Sequence, residues 1–190
     1  AIMSTSKNLE ERRKALENVF FERENEKLLA RLREEKEHTA QRQALFEVTK
    51  IQDEEVLDHL LEVGIRAETW LAISIFPLVE VAWADRVVHD EQREAIMNAA
   101  ESHGIKPGSH ARELLEEWLT IRPDPKVRMV WMEYIEAVSK VLSGAAREAM
   151  REETLELSRN VAKATGSFLG FGHLVSDVEA QVLEDLERAF

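Results

Sequence analysis

The chain has 190 residues, of which 44% are hydrophobic and 33% are charged, and its formal net charge is −12 at pH 7. It contains no cysteine, which excludes disulfide bonds, thiolate metal sites and cysteine nucleophiles, and no apolar run approaches the ~18 residues of a membrane span. The acidic charge argues against unaided binding of nucleic acid. We therefore expect an acidic cytoplasmic protein with a core of its own and no secretion signal.

The N-terminal segment differs from the rest of the chain in its charge. Residues 1–50 carry 11 Lys or Arg and 10 Asp or Glu, a net of +1, whereas residues 51–190 carry 14 and 27, a net of −13. This contrast predicts a charged helical extension over residues 1–50 and a helical domain over residues 51–190. Asn8 and Glu11 match a capping box at the start of the extension, and no Gly or Pro follows before residue 50.

Apolar residues lie at helical spacings on this otherwise charged extension. Since such side chains need a covering surface, we predict that the extension docks a protein partner or associates with a second copy. The alternatives are a helix that only protrudes or one that folds back on its own chain, and the spacing is not a sustained heptad. The predicted partner-binding residues are Leu16, Phe20, Leu28 and Leu32.

The remainder of the chain indicates about seven helices and no strand with period-two alternation. A short helix over residues 53–63 ends at Gly64, and the most apolar stretch, residues 67–84, predicts a central core helix kinked at Pro77. The fold class is therefore all-α, a helical bundle with a long N-terminal helical extension. Further helices are predicted over residues 90–103, 109–119, 124–142 and 145–165 and from Ser176 onward, and the tryptophans expected in the core are Trp70, Trp83, Trp118 and Trp131.

An acidic turn joins the core helix to the next helix. Carboxylate oxygens suit Ca²⁺, and an added imidazole suits Mn²⁺ or Zn²⁺, so the turn is a candidate site for a divalent metal. The spacing is not that of an EF-hand, and the alternative is that Asp90 and Glu91 only stabilise a helix N-terminus. The candidate ligands are Asp85, His89, Asp90, Glu91 and Glu94.

Residues 88–96 parallel residues 175–183, since each segment has an apolar residue, a cap, an acidic first turn and then an apolar face. Any two capped helices share these features, and the alternative is a duplicated helix pair with pseudo-twofold symmetry. If the two halves face each other, His173 is a companion metal ligand.

No nucleophile is paired with a base, so we expect no enzymatic activity. Glu35 and His38 form half of a di-iron motif, but no second Glu-x-x-His accompanies them. The Gly-rich segment from Gly166 to Gly172 follows a helix rather than a strand, which favours a helix connection over a phosphate cradle.

Two segments resemble the TerB-like domain of tellurite-resistance proteins: VEVAWADRVVHDEQREAIMNAAESHGI and VAKATGSFLGFGHLVSDVEAQVLEDLERAF. The shared pattern is an Ala-rich helix, an Ala-Asp-Gly turn and a capped acidic helix, with a Gly-rich loop before the closing helix. The resemblance covers residues 66–190 and departs at Arg86, where the pattern has Gly. It implies an all-helical bundle without catalysis that takes part in stress responses, in inner-membrane-associated complexes and in metal binding through acidic residues. Such domains also occur beside DnaJ-type co-chaperone modules.

The extension has a second resemblance. RRKALENVFFERENEKLLARLREE is similar to the start of the zeta-type inhibitor of alphaproteobacterial rotary ATPases, although Leu16 stands where that family has Phe. The matching residues are Arg13, Lys14, Ala15, Glu17, Asn18 and Phe20.

Two hypotheses follow. The first is a non-enzymatic interaction or scaffold module of a stress-response complex of the tellurite-resistance type. A complex held peripherally at a membrane is one form of this hypothesis. The second is a regulatory inhibitor whose N-terminal helix inserts into a larger machine such as a rotary ATPase.

Overall fold

The structure, a computed structural model, describes residues 2–165 and 175–190, with side chains from residue 6 onward. In these ranges it contains eight α-helices and no strand, which confirms the all-α prediction. The helices are α1 (Ile2–Thr49), α2 (Glu54–Glu62), α3 (Leu71–Ala82), α4 (Asp90–Ser102), α5 (His110–Thr120), α6 (Pro125–Val141), α7 (Gly144–Ala164) and α8 (Asp177–Glu187). None of the described helices is both long and apolar enough to cross a membrane.

The chain forms two compact units, Ala1–Gln41 and Arg42–Phe190. The first unit contains only residues of α1, which is one continuous helix and does not fold back as an antiparallel pair. The side chains of residues 6–37 are all exposed. The predicted cap at Asn8 is wrong, because α1 already begins at Ile2. A capping box acts only where the backbone leaves the helix, and residues 2–7 contain no Gly or Pro to end it.

The last turns of α1 belong to the second unit. Leu45 is fully buried in its core, and the helix ends at Thr49, before Lys50, whose backbone has a left-handed φ of 60°. The boundary that the charge contrast predicts near residue 50 coincides with this end of α1. The compact units divide earlier, between Gln41 and Arg42, because the buried Leu45 is part of the body.

Helix α3 is the central element of the second unit. It contacts α4, α5, α6, α7 and α8, and nine of its 12 residues are buried. A helix that is apolar on most faces is shielded from water only if other helices surround it. This explains why the most apolar stretch of the sequence forms the central helix. Pro77 lies inside this helix. Trp118 and Trp131 are buried, whereas Trp70 and Trp83 pack against the core from partly exposed positions.

Candidate functional site

The acidic turn lies between α3 and α4. Its backbone turns at Arg86, whose φ of 71° is in the left-handed region that glycine adopts without a steric cost. This is the position at which the TerB-like pattern has Gly. Arg86 therefore has a backbone conformation that is more common for glycine.

The structure brings two of the five predicted metal ligands together. The Asp85 Oδ2 and His89 Nε2 atoms are 3.4 Å apart, and both side chains are more than two-fifths exposed. Asp90 and Glu91 occupy the first turn of α4, where their negative charges interact favourably with the positive end of the helix dipole. Within the described ranges, no three His, Asp or Glu side chains surround a point that could hold a metal ion. Glu94 joins no such group there, and His173 and the segment from Gly166 to Gly172 lie outside the described residues.

A buried polar link joins the two segments that are parallel in sequence. Gln92, the third residue of α4, donates from Nε2 to the Glu179 Oε1 atom over 3.1 Å, and Glu179 is the third residue of α8. Each also binds back to its own helix start: Gln92 Oε1 accepts from the His89 backbone N–H, and Glu179 Oε2 from that of Ser176. The predicted capping box of Ser176 and Glu179 is thereby confirmed. One side-chain hydrogen bond thus connects the first turns of α4 and α8.

An open groove of about 680 Å³ lies between α2 and α6, and no local sequence signal indicates it. At its wall, His59 Nδ1 and Glu133 Oε2 are 2.6 Å apart. The hydrogen bond to Glu133 raises the pKa of His59 more than partial burial lowers it. Ile51, Val56 and Ala137 provide the apolar part of the lining.

Helix α1 carries the largest set of exposed apolar side chains between residues 9 and 32. The four predicted partner-binding residues are among them, and each is at least half exposed: Leu16 71%, Phe20 60%, Leu28 54% and Leu32 51%. The sequence prediction omitted Leu9, Val19, Phe21 and Leu29, which are also exposed. The rings of Phe20 and Phe21 meet edge to face with centroids 6.0 Å apart.

Comparison of this chain with protein-family descriptions, curated proteins and solved structures finds no match. The candidate sites therefore depend on geometry and on the residues that form them.

Proposed function

We propose that the protein is a non-enzymatic interaction module, in which a helical body bears α1 as a docking helix. The observation that carries this proposal is the exposure of eight large apolar side chains within residues 9–32 of α1. Isolated exposed apolar residues are ordinary, but such a concentration on one charged helix is typical of a surface that another molecule covers. A helix that docks through spaced apolar anchors is a common mode of protein recognition.

The test replaces two of these anchors by serine. In the full chain carrying Phe20→Ser and Leu28→Ser, we expect a lower assembled mass by light scattering, or loss of partner proteins from a pull-down, because the apolar contacts are gone. The matched control carries Val87→Ser and Ile121→Ser, two apolar residues of the body that are 55% and 66% exposed. If the α1 variant and the control both behave like the unchanged chain, α1 is not a docking helix.

We further propose, from the TerB-like resemblance, that this assembly belongs to a stress response of the tellurite-resistance type and that a divalent metal binds the acidic turn. The proximity of Asp85 and His89 supports the metal part. An imidazole and a carboxylate are ligands that suit Zn²⁺ and Mn²⁺, and the remaining positions would be filled by water.

Melting temperature tests the metal proposal. A metal that binds only the folded state at 100 times its Kd stabilises that state by about 2.7 kcal/mol. We expect Ca²⁺, Mn²⁺ or Zn²⁺ to raise the melting temperature relative to EDTA, and Asp85→Asn to abolish the rise. Asp177→Asn, which removes an acidic residue from the first turn of α8, should retain it. Identical melting with EDTA and with each metal contradicts the proposal.

A further inference from the structure

The exposed surface of α1 has two parallel stripes of opposite charge. At ~100° per residue, positions spaced alternately by four and three residues stay on one side of a helix. The cationic stripe consists of Leu9, Arg13, Leu16, Phe20, Arg23 and Lys27. The anionic stripe consists of Glu10, Lys14, Glu17, Phe21, Glu24 and Leu28. Each position of the second stripe follows one of the first, so the stripes run side by side about 100° apart.

The two stripes complement each other in chemistry as well as in spacing. The cationic stripe has three positive charges and no acidic residue, whereas the anionic stripe has three glutamates and one lysine. Both contain a central phenylalanine, Phe20 in one and Phe21 in the other, and each has further apolar positions. Every one of these side chains is exposed. Each stripe therefore offers apolar contact area flanked by charges that the other stripe would neutralise.

Resting on the proposal that α1 is a docking helix, we propose that its partner is a second copy of this chain, with the cationic stripe of one α1 packed against the anionic stripe of the next. The contact is isologous where the two stripes of one copy pair reciprocally with those of a single second copy, and heterologous where each stripe takes a different copy. A two-fold dimer occupies every stripe in the first case, and a ring or filament of more copies does so in the second.

The charge distribution of the chain favours this occupant. Residues 1–41 carry nine Lys or Arg and nine Asp or Glu, so they are neutral, whereas residues 42–190 carry 16 and 28, a net of −12. The bodies repel one another, and α1 is the part of two copies that can approach without net repulsion. An anionic membrane would attract the cationic stripe but repel the neighbouring glutamates. The pairs Arg13–Glu17 and Lys27–Glu24 link the stripes within one helix, over 3.6 and 3.3 Å, but all four groups are more than half exposed and such pairs contribute little.

Charge reversal of one stripe at a time tests the pairing in the full chain. One variant carries Glu10→Lys, Glu17→Lys and Glu24→Lys, which makes both stripes cationic. A second variant carries Arg13→Glu, Arg23→Glu and Lys27→Glu, which makes both anionic. We expect the unchanged chain to have at least twice its single-chain mass of 21.8 kDa by light scattering, and each variant alone to be a monomer.

Mixing the two variants is the decisive measurement. Each cationic stripe of the first variant then finds an anionic stripe on the second, so the multi-chain mass should return with both variants present in equal amounts. The matched control carries Glu11→Lys, Glu22→Lys and Glu26→Lys, three reversals on the opposite side of α1, and should assemble like the unchanged chain. Far-ultraviolet circular dichroism of each variant checks that α1 is still helical.

Several outcomes overturn the pairing. These are a monomeric unchanged chain, an assembly that survives both reversals, or a mixture of the two variants that stays monomeric. Binding of a monomeric chain to phosphatidylserine vesicles, lost on reversal of the cationic stripe, would assign α1 to a membrane instead. If the chain is monomeric and Phe20→Ser with Leu28→Ser still loses partner proteins, the docking role stands and the self-pairing fails.

Discussion

His59 shows how a single residue acquires a role that the sequence does not indicate. Its partner Glu133 is 74 residues away in the chain and 2.6 Å away in the structure. Because the hydrogen bond to Glu133 raises the pKa of His59, the folded chain binds this proton more tightly than the unfolded chain does. Protonated His59 therefore stabilises the fold below the unfolded pKa of about 6.5, and this contribution is lost as pH rises through the raised pKa of the folded state.

We expect His59→Gln to lower the free energy of unfolding more at pH 5.5 than at pH 9. Glutamine can still donate a hydrogen bond to Glu133 but cannot carry the charge, so the change in pH isolates the ionic part. Urea unfolding at the two pH values measures the difference. His110→Gln is the control, since His110 is exposed and its partner Glu113 lies in the same turn of α5. An equal loss at both pH values would show that the charge of His59 contributes nothing.

At the scale of helices, the starts of α4 and α8 are joined through one amide and one carboxylate. Gln92 is fully buried and Glu179 is 4% exposed. Because buried polar groups need hydrogen-bond partners, their burial depends on the hydrogen bond between them. The amide of Gln92 is the compatible partner because it donates from Nε2 to Glu179 and accepts at Oε1 from the His89 backbone. A second carboxylate could accept but not donate while ionised.

Gln92→Glu should therefore destabilise the protein by about 2–3 kcal/mol at pH 7, because two buried carboxylates would repel and one donor would be lost. The loss should shrink toward pH 5, because a proton taken up by the introduced carboxyl removes the repulsion and restores a donor. Urea unfolding at both pH values gives the two numbers.

Gln181→Glu is the matched control, since the Gln181 amide also donates to a carboxylate, that of Asp185 over 3.1 Å, but on an exposed face of α8. We expect a change within about 0.5 kcal/mol for it. If Gln92→Glu is equally mild, the link between α4 and α8 is not a buried one.

The sequence predicts the helices themselves better than the contacts between them. Signals that act within a few residues, such as the cap at Ser176 and the apolar run of α3, match the structure. The start of α1 at Ile2 was missed because a cap pattern inside a continuous helix has no effect. The link from Gln92 to Glu179 could not be derived, because parallel sequence segments do not specify which of their side chains meet.

At the scale of the whole molecule, the candidate sites also differ in how much of each the sequence predicts. The exposed apolar residues of α1 could be predicted from the sequence, because they lie at helical spacings in a highly charged segment without Gly or Pro that is too polar to be buried. The groove of His59 and Glu133 depends on the packing of α2 against α6, which no spacing in the sequence specifies. The acidic turn is intermediate: the turn was predicted, but only Asp85 and His89 of its candidate ligands approach each other.

The start of the body also depends on tertiary contacts that the local sequence does not specify. The net charge of the chain changes near residue 50, where α1 ends, but the last turns of α1 pack on the body, through Leu45 and Arg42 among other residues. Leu45 is fully buried, and the Arg42 guanidinium donates to both carboxylate oxygens of Asp58, over 2.7 and 2.9 Å. A two-pronged pair of this kind fixes the orientation of the helix end as well as its position.

Two truncated chains distinguish these boundaries. Residues 42–190 should unfold in one cooperative transition with nearly the free energy of the full chain, because the removed residues 6–37 are exposed. The free energy of unfolding of residues 51–190 should be lower by about 2–5 kcal/mol or more, since that is the cost of emptying a buried leucine site. Leu45→Ala in the full chain is the matched variant, and it should show a loss in the same range without any truncation. Urea unfolding followed by tryptophan fluorescence measures all four chains. Equal stability of the two truncated chains would place the boundary at residue 50 and leave Leu45 without a structural role.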